Sequence, residues 1–420
     1  MRDPVYKSRP VEPNPARFDS ARRINDFILQ CEAFSNTYLL ETGEGNIQIN
    51  AGMGIEAPVI KQNFDSHSHA PLRYLLLTQG HVDHLGGVAF FREHNPGLRV
   101  IAGAGNAEHQ SYDGRLADFR ARRSAFAFTE KFASAFDHYA QHGQTQFPEQ
   151  DRPTPDILVE DRYSLSLGDL ELEIIAVPGA ETNDSVIVWL PQHKICFTGN
   201  LFGCAFGHFP NLVTIRGDRY RDALSVAAAV DVVQALGAET LLYGHHGPVE
   251  GSDLIATELE VLRSAIIYVH DETVAGMNAG AELSELMSQI QLPPELEVGE
   301  GYGKVSWGVR AIWESYAGWF KHESSTELYS QPQRSIHPDL VELAGGAQAI
   351  VERAREKLAG REYVEALHLL DVLSPAQRRA PDAIEVASTA HQSLLEASDN
   401  FWLSSWLRNQ VRLLSEIKTT

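Results

Sequence analysis

The chain has 420 residues, 43% hydrophobic and 22% charged, the composition of an ordinary globular protein long enough for two or three domains. Acidic side chains outnumber basic ones, 56 to 35, for a formal charge of -21. That argues against nucleic acid or an anionic membrane surface as main partner, although a metal and one arginine can reverse the potential locally for a small anion. Three scattered cysteines, Cys31, Cys196 and Cys204, form no disulfide framework and no CxxC pair. No run is long and apolar enough for a membrane span, and the polar, proline-rich N-terminus is no secretory signal, so a cytoplasmic location is expected.

Residues 1–22 read as a loosely ordered arm. Strand patterns follow at Phe27–Cys31, Thr37–Glu41 and Asn46–Ile49, the last two joined by the turn Thr42-Gly43-Glu44-Gly45. The apolar run Tyr74–Leu77 has the length of a buried strand and leads into TQGHVDHLGG, Thr78–Gly87. Val88–His94 predicts a helix and Arg99–Ala104 a strand. A polar, alanine-rich stretch, 105–155, carries a long helix from Ala117 to His142 that could cover a site mouth. Strands resume at Leu158–Glu160, Tyr163–Leu167, Leu170–Val177, Val186–Leu190 and Ile195–Phe197. A helix from Asp218 to Leu236 and a strand at Thr240–Tyr243 complete this part.

Beyond residue 252 the pattern turns helical. Amphipathic helices are expected at Ile255–Asn278, Glu282–Ile290 and Val305–Phe320. A second helical block runs from Leu340 to about Leu414, its paired helices similar to a tetratricopeptide-like stack.

The chemistry concentrates in TQGHVDHLGG. Gln79, His81, Asp83 and His84 leave the mouth of one strand, and side chains there point into one pocket. Two imidazoles, a carboxylate and an amide are costly to bury unpaired and are satisfied by a divalent cation. A helix-capping turn would use Asp83 and leave both histidines unexplained. His67, His69, His138 and His142 have ligand-like spacing but lie in polar surroundings.

The motif resembles the metallo-β-lactamase signature THxHxDHxGG, with Gln79 in place of the first histidine. Ser35-Asn36-Thr37-Tyr38-Leu39 and Ile49-Asn50-Ala51-Gly52 are similar to that superfamily's opening strands, Asn50 standing for its structural aspartate. The resemblance implies an α/β fold: an αββα sandwich followed by an all-α dimerisation and tetratricopeptide-like region. It places further ligand positions at Glu181 after Pro178-Gly179, at Asn200 after Phe197-Thr198-Gly199, and at His245 or His246.

A glutamate after Pro-Gly is similar to the alkylsulfatase branch. Asn211-Leu212-Val213-Thr214-Ile215-Arg216-Gly217 resembles its NLLTLRG segment, whose asparagine and arginine contact sulfate. His245-His246-Gly247-Pro248 resembles its HHWP. Tyr268–Thr273, Tyr302–Ser306 and Arg310–Ile312 resemble its dimerisation region. The resemblance therefore implies a metal-dependent hydrolase of sulfate esters. Asp83 and the metal would activate water, with Arg216 and Asn211 on the anionic group, in a homodimer. The ligands would be Gln79, His81, Asp83, His84, Glu181, His245 and His246. They suit one or two zinc ions, and equally manganese or iron. Where the branch has a bridging glutamate this chain has Gly199-Asn200, and Asn200, Cys204 or His208 are candidate substitutes. The implied layout is an arm (1–22), a catalytic domain (23–254), dimerisation helices (255–332) and C-terminal helices (333–420). Two other readings stand: a metallo-hydrolase of another ester, lactone, amide or ether, and a dimeric scaffold with a degenerate site.

Overall fold

The computed structural model describes residues 3–419 and divides into two compact units, up to Tyr316 and from Ala317 onward. The first unit opens with β1 (Arg22–Arg23), β2 (Ile28–Cys31), β3 (Thr37–Thr42) and β4 (Gly45–Ile49). Helix α1 (Ala57–Asp65), β5 (Leu72–Leu76), α2 (Val82–Leu85), α3 (Val88–His94) and β6 (Arg99–Gly103) follow. Next come α4 (Asn106–Arg115), α5 (Ala117–Gln141), β7 (Ile157–Val159), β8 (Arg162–Leu167) and β9 (Leu170–Ala176). The series ends with β10 (Val186–Leu190), β11 (Ile195–Gly199), α6 (Ala223–Ala235), β12 (Thr240–Tyr243), β13 (Val249–Glu250), α7 (Ser252–Asn278), α8 (Leu283–Gln289) and α9 (Val305–Ala317).

Strands β1 to β7 form one sheet in chain order, antiparallel to β4 and parallel thereafter. The second sheet runs β13-β12-β11-β10-β9-β8, with β11 and β12 the parallel pair. Strand alternation builds the sandwich: Tyr38, Leu40, Ile47, Ile49 and Leu76 face Leu172, Ile174, Val188, Phe197 and Leu242 between the sheets. The outer face of the first sheet packs on α1, α3 and the α5 residues Ala135 and Tyr139. That of the second packs on α6 and α7, where Val226, Val230, Leu259, Leu262 and Ile266 are buried. An αββα sandwich results, with both sheets covered and both faces apolar.

The sheets are joined at the end that carries the motif. The Asn36 amide donates to the Gly244 carbonyl at 2.6 Å, and Tyr38 Oη donates to the Tyr243 carbonyl at 2.6 Å.

Three local differences from the sequence reading have physical causes. Helix α6 begins at Ala223, not Asp218, because Asp222 caps it by accepting from the Ser225 amide at 2.7 Å. Helix α9 ends at Ala317, three residues before Phe320, ahead of Gly318 at φ +73°. The arm is fastened rather than loose. Arg9 donates to the carbonyls of Gly247 (2.8 Å) and Pro248 (2.7 Å), Lys131 pairs with Glu12 at 2.9 Å, and Ala16 is buried.

The second unit holds α10 (His337–Leu343), α11 (Ala347–Ala359), α12 (Tyr363–Asp371), α13 (Pro381–Glu396) and α14 (Phe401–Thr419). Consecutive antiparallel helices bury Ile350, Ala354, Ala366, Leu370, Ala383 and Val386 in their own core.

Candidate active site

The strand β5 delivers Thr78, and the backbone there is held by Asn50, whose Oδ1 accepts from the Thr78 amide and hydroxyl, both at 3.0 Å. Asn50 itself adopts φ +60°, a left-handed conformation that asparagine tolerates. Gly199 approaches the same threonine: a Cβ on it would lie 2.6 Å from Thr78 Oγ1, at φ +55°. A carboxylate side chain is therefore shut out of position 199 by the packing of the motif loop itself.

Around this frame His81, Asp83, Glu181, Asn200, Arg216 and His245 line one cavity of about 370 Å³. Cys204 also lines it, with Sγ 3.7 Å from the Val11 carbonyl, and burial pushes its thiol well up. The remaining wall is mostly apolar, with Phe34, Met53, Val82, Phe128, Phe132 and Tyr302 and the two hydroxyls of Ser124 and Thr129. The long helix α5 thus supplies cavity wall through Phe128 and Phe132.

The histidines are organised by their hydrogen bonds. His84 Nδ1 lies 3.1 Å from Thr78 Oγ1 and 3.2 Å from Ser35 Oγ. Both hydroxyl protons are committed elsewhere, to Asn50 Oδ1 and the Gly244 carbonyl. Nδ1 must therefore carry the proton and donate, which leaves the Nε2 lone pair free to accept. That lone pair now accepts from Gln79 Nε2 at 3.1 Å, and the same amide nitrogen donates to His81 Nδ1 at 2.7 Å. One amide spans both imidazoles.

Two halves differ in what they can hold. On one side, Asp83 Oδ2 stands 3.7 Å from His84 Nε2, and His245 Nδ1 is buried with no hydrogen-bond partner among the described residues. Burial pushes both His84 and His245 down to about 3, so both are neutral donors at physiological pH. A carboxylate and two neutral imidazoles fit a divalent cation. On the other side, His81 Nε2 is 3.3 Å from Arg216 Nη2 and 3.8 Å from Asp218 Oδ2, and Glu181 is paired with Arg221 at 2.7 Å. Burial raises the Glu181 carboxyl to about 7 although Arg221 opposes it. Two guanidinium groups already occupy the positive positions there, which does not fit a second cation. No three His, Cys, Asp or Glu side chains among the described residues are already drawn to ligand spacing.

Of the remaining expected residues, His246 does not line the cavity; it sits at φ +62° with its carbonyl accepting from Asn36 Nδ2 at 2.6 Å. His245 is thus the one of the pair that faces the site. His208 is also outside it, its Nδ1 accepting from the Gly301 amide at 2.9 Å. Asn200 Oδ1 is buried without a partner among the described residues and abuts Gly244, where a Cβ would overlap it. Asn211 is buried behind the wall; its carbonyl accepts from Arg221 Nη1 at 2.5 Å. His67, His69 and His142 are exposed, and His142 stacks on Phe18 at 4.8 Å.

Sequence reasoning missed Arg221 and took Asp218 as the start of a helix. The Asp218 side chain is only 7% exposed, accepts from Arg120 Nη2 at 3.0 Å, and is held well below the usual carboxylate range. Burial alone would raise it, but His81, Arg221 and Arg216 outweigh that. Neither residue belongs to a spaced motif. Only the fold brings them to Glu181 and His81.

Comparison with known proteins places this geometry. The metallo-beta-lactamase superfamily pattern matches residues 32–245, half of the chain, and the chain belongs to that superfamily. An alkyl sulfatase dimerisation pattern matches residues 282–414. A linear primary-alkylsulfatase of a Pseudomonas species is 24% identical over 395 residues, covering 90% of this chain and 74% of that one. The Saccharomyces cerevisiae alkyl/aryl-sulfatase BDS1 is 24% identical over 412 residues, covering 93% and 63%. The solved structure of a stereoselective inverting sec-alkylsulfatase, Pisa1 of a Pseudomonas species, shares the fold. Its TM-score is 0.80 at 21% identity, over 94% of this chain and 65% of that one. The chain thus spans about three quarters of the first relative and just under two thirds of the other two.

Proposed function

We propose that the protein is a metal-dependent hydrolase of sulfate esters. The observation that carries the reading is the make-up of the cavity, whose lining combines two acids, two histidines and an arginine with three phenylalanines. A small anionic ester with an organic tail matches both kinds of lining. The superfamily is metal-dependent. Asp83, His84 and His245 would hold one divalent ion, with Gln79 beside it. Zinc suits that set, and manganese or iron suit it too. A cation bound there supplies Lewis-acid polarisation and brings the pKa of a bound water towards neutrality.

The chain's own residues do the rest. Arg216 presents a planar fork of N–H donors to the sulfate oxygens. Burial pushes the His81 ring well below its ordinary range, with Arg216 adding to the effect and Asp218 opposing it, so a neutral ring faces the arginine. Glu181, fixed by Arg221, keeps that guanidinium from reaching the substrate. Asn211 acts at one remove, anchoring Arg221 through its carbonyl. The phenylalanine wall excludes water from the organic end. The test is turnover of alkyl and aryl sulfates by metal-loaded protein; no turnover of any of them, with bound metal confirmed, sinks the reading.

One observation favours a second reading: the Gln79 amide hydrogen-bonds to both imidazoles and takes up their lone pairs. On that reading the site is degenerate and the chain a scaffold. Metal analysis decides, since retention of less than about half an equivalent supports the scaffold.

The proposal extends to assembly and place. The match of residues 282–414 to the dimerisation family supports a homodimer formed by the helices after residue 252. No described helix is long and apolar enough to cross a membrane. Three buried free thiols fit a reducing compartment such as the cytoplasm.

A further inference from the structure

Glu56, just ahead of α1, is fully buried. Its Oε1 accepts from the Ala16 amide at 2.8 Å and the Phe34 amide at 2.9 Å, and its Oε2 from the Met53 amide at 3.1 Å. Among the described residues no lysine or arginine pairs with it. Three segments distant in sequence therefore meet on one carboxylate. Each of them carries a residue of the cavity's apolar end: Pro13 lies three residues before Ala16, and Phe34 and Met53 line the cavity themselves. Phe34 then packs on Phe132 of α5 with ring centroids 5.0 Å apart.

Glu56 does not line the cavity, and the polar end is held by other contacts, chiefly Arg221 on Glu181 and the hydroxyl pair on His84. We propose that Glu56 is a positioning residue that sets the shape of the apolar end through three main-chain amides, and so selects the organic group of the ester. The substrate half of this statement rests on the sulfate-ester reading above. The physical basis is that a loop held by several charge-assisted bonds loses little freedom when a ligand docks on it, whereas a released loop must be ordered by the ligand. The arm keeps independent fastenings at Glu12–Lys131 and at Val11, where the carbonyl accepts from Cys204. Releasing one amide therefore loosens the wall without unthreading it.

The test compares Glu56→Gln and Glu56→Ala with the wild-type chain by amide hydrogen exchange and by calorimetry with two sulfonates, which keep the anion but have no ester bond to cleave. Glu56→Gln retains an acceptor for Ala16 and Phe34 and turns an N–H towards Met53. Glu56→Ala removes all three acceptors. In Glu56→Ala, peptides carrying Ala16, Phe34 and Met53 should exchange about tenfold faster or more, since each loses its partner. Decanesulfonate affinity should fall about tenfold or more, while methanesulfonate stays within about twofold, with Glu56→Gln between the two. Unchanged exchange in those segments, or equal weakening of both sulfonates, overturns the proposal. If the wild-type chain binds neither sulfonate, the sulfate-ester reading falls instead. Exchange then decides for Glu56: acceleration confined to the three segments supports it, and none overturns it. Should Glu56→Ala fail to fold, Glu56→Gln decides in its place: faster exchange at Met53 than at Ala16 and Phe34 supports the proposal, and unchanged exchange at Met53 overturns it.

Discussion

Arg221 grips Glu181 twice: Nη2 lies 2.7 Å from Oε1, and Nε donates to the main-chain carbonyl of the same glutamate at 2.9 Å. Both side chains are about nine-tenths buried, with 7% and 8% of their surface exposed. Removing the cation leaves Glu181 without its ion-pair partner in a dry place. Arg221→Met should cost roughly 3–5 kcal/mol, read as a lower urea midpoint at unchanged m. The sign with pH follows from Glu181, which burial raises to about 7 from its ordinary 4.5. A raised carboxyl favours the protonated folded state, so its stabilising share is lost as pH climbs from about 4.5 to about 7. The penalty of Arg221→Met should therefore be larger at pH 8 than at pH 5.

Metal content tests the division of the site into two unequal halves. The wild-type chain should retain about one equivalent after dialysis, because one side offers a carboxylate with two neutral imidazoles and the other offers arginines. Asp83→Asn removes the only anionic donor on the first side and should lower retention about tenfold or more. Gln79→His replaces the bridging amide by a third imidazole and should raise the metal retained per chain. Equal metal in Gln79→His and the wild type would show that the amide is not what limits binding.

Arg216 is expected to act through geometry as well as charge. Arg216→Lys keeps the positive charge and loses the planar fork, so kcat/KM for sulfate esters should fall about 10–100-fold, in line with losing one charged hydrogen bond. Competitive inhibition by inorganic sulfate should weaken in parallel. A drop in turnover with unaltered sulfate inhibition would place Arg216 away from the anion.

His208 gives an acid-side expectation. It is buried, and that burial lowers it to about 4 from its ordinary 6.5. Between those values the unfolded chain takes up a proton that the folded chain refuses, so stability falls as pH drops through that window, by about 1.4 kcal/mol per pH unit at most. His208→Asn can keep an acceptor near the Gly301 amide without titrating. It should flatten the decline seen in denaturant midpoints measured from pH 7 to pH 4.

The strand and helix pattern was legible because burial leaves a periodic trace. The long helix at residues 117–142 and the strands from Leu170 to Tyr243 lie where alternation and apolar runs place them. The helix α1 was missed because APVIKQNFD spans only nine residues and buries the polar Asn63 among its apolar positions. Gln79, His81, Asp83 and His84 were legible because they crowd into one short loop. Arg221, Asp218 and Glu56 were not, since each acts on a residue 40 or more positions away, or on main-chain amides that any sequence supplies. His245 lines the cavity and His246 does not, a difference that goes with the backbone angle of φ +62° at His246 and that neighbouring identical residues cannot disclose.

The donors proposed for the ion come from opposite sheets: Asp83 and His84 follow β5, whereas His245 follows β12, the two ends being joined by Asn36 and Tyr38. A bound ion would then be a bolt across the seam of the sandwich. During synthesis the first two donors emerge some 160 residues before the third, a gap read directly from their numbering. An emerging chain would carry an open half-site until its second sheet has closed, so tight metal retention would report that the whole sandwich, and not only its first half, has been assembled.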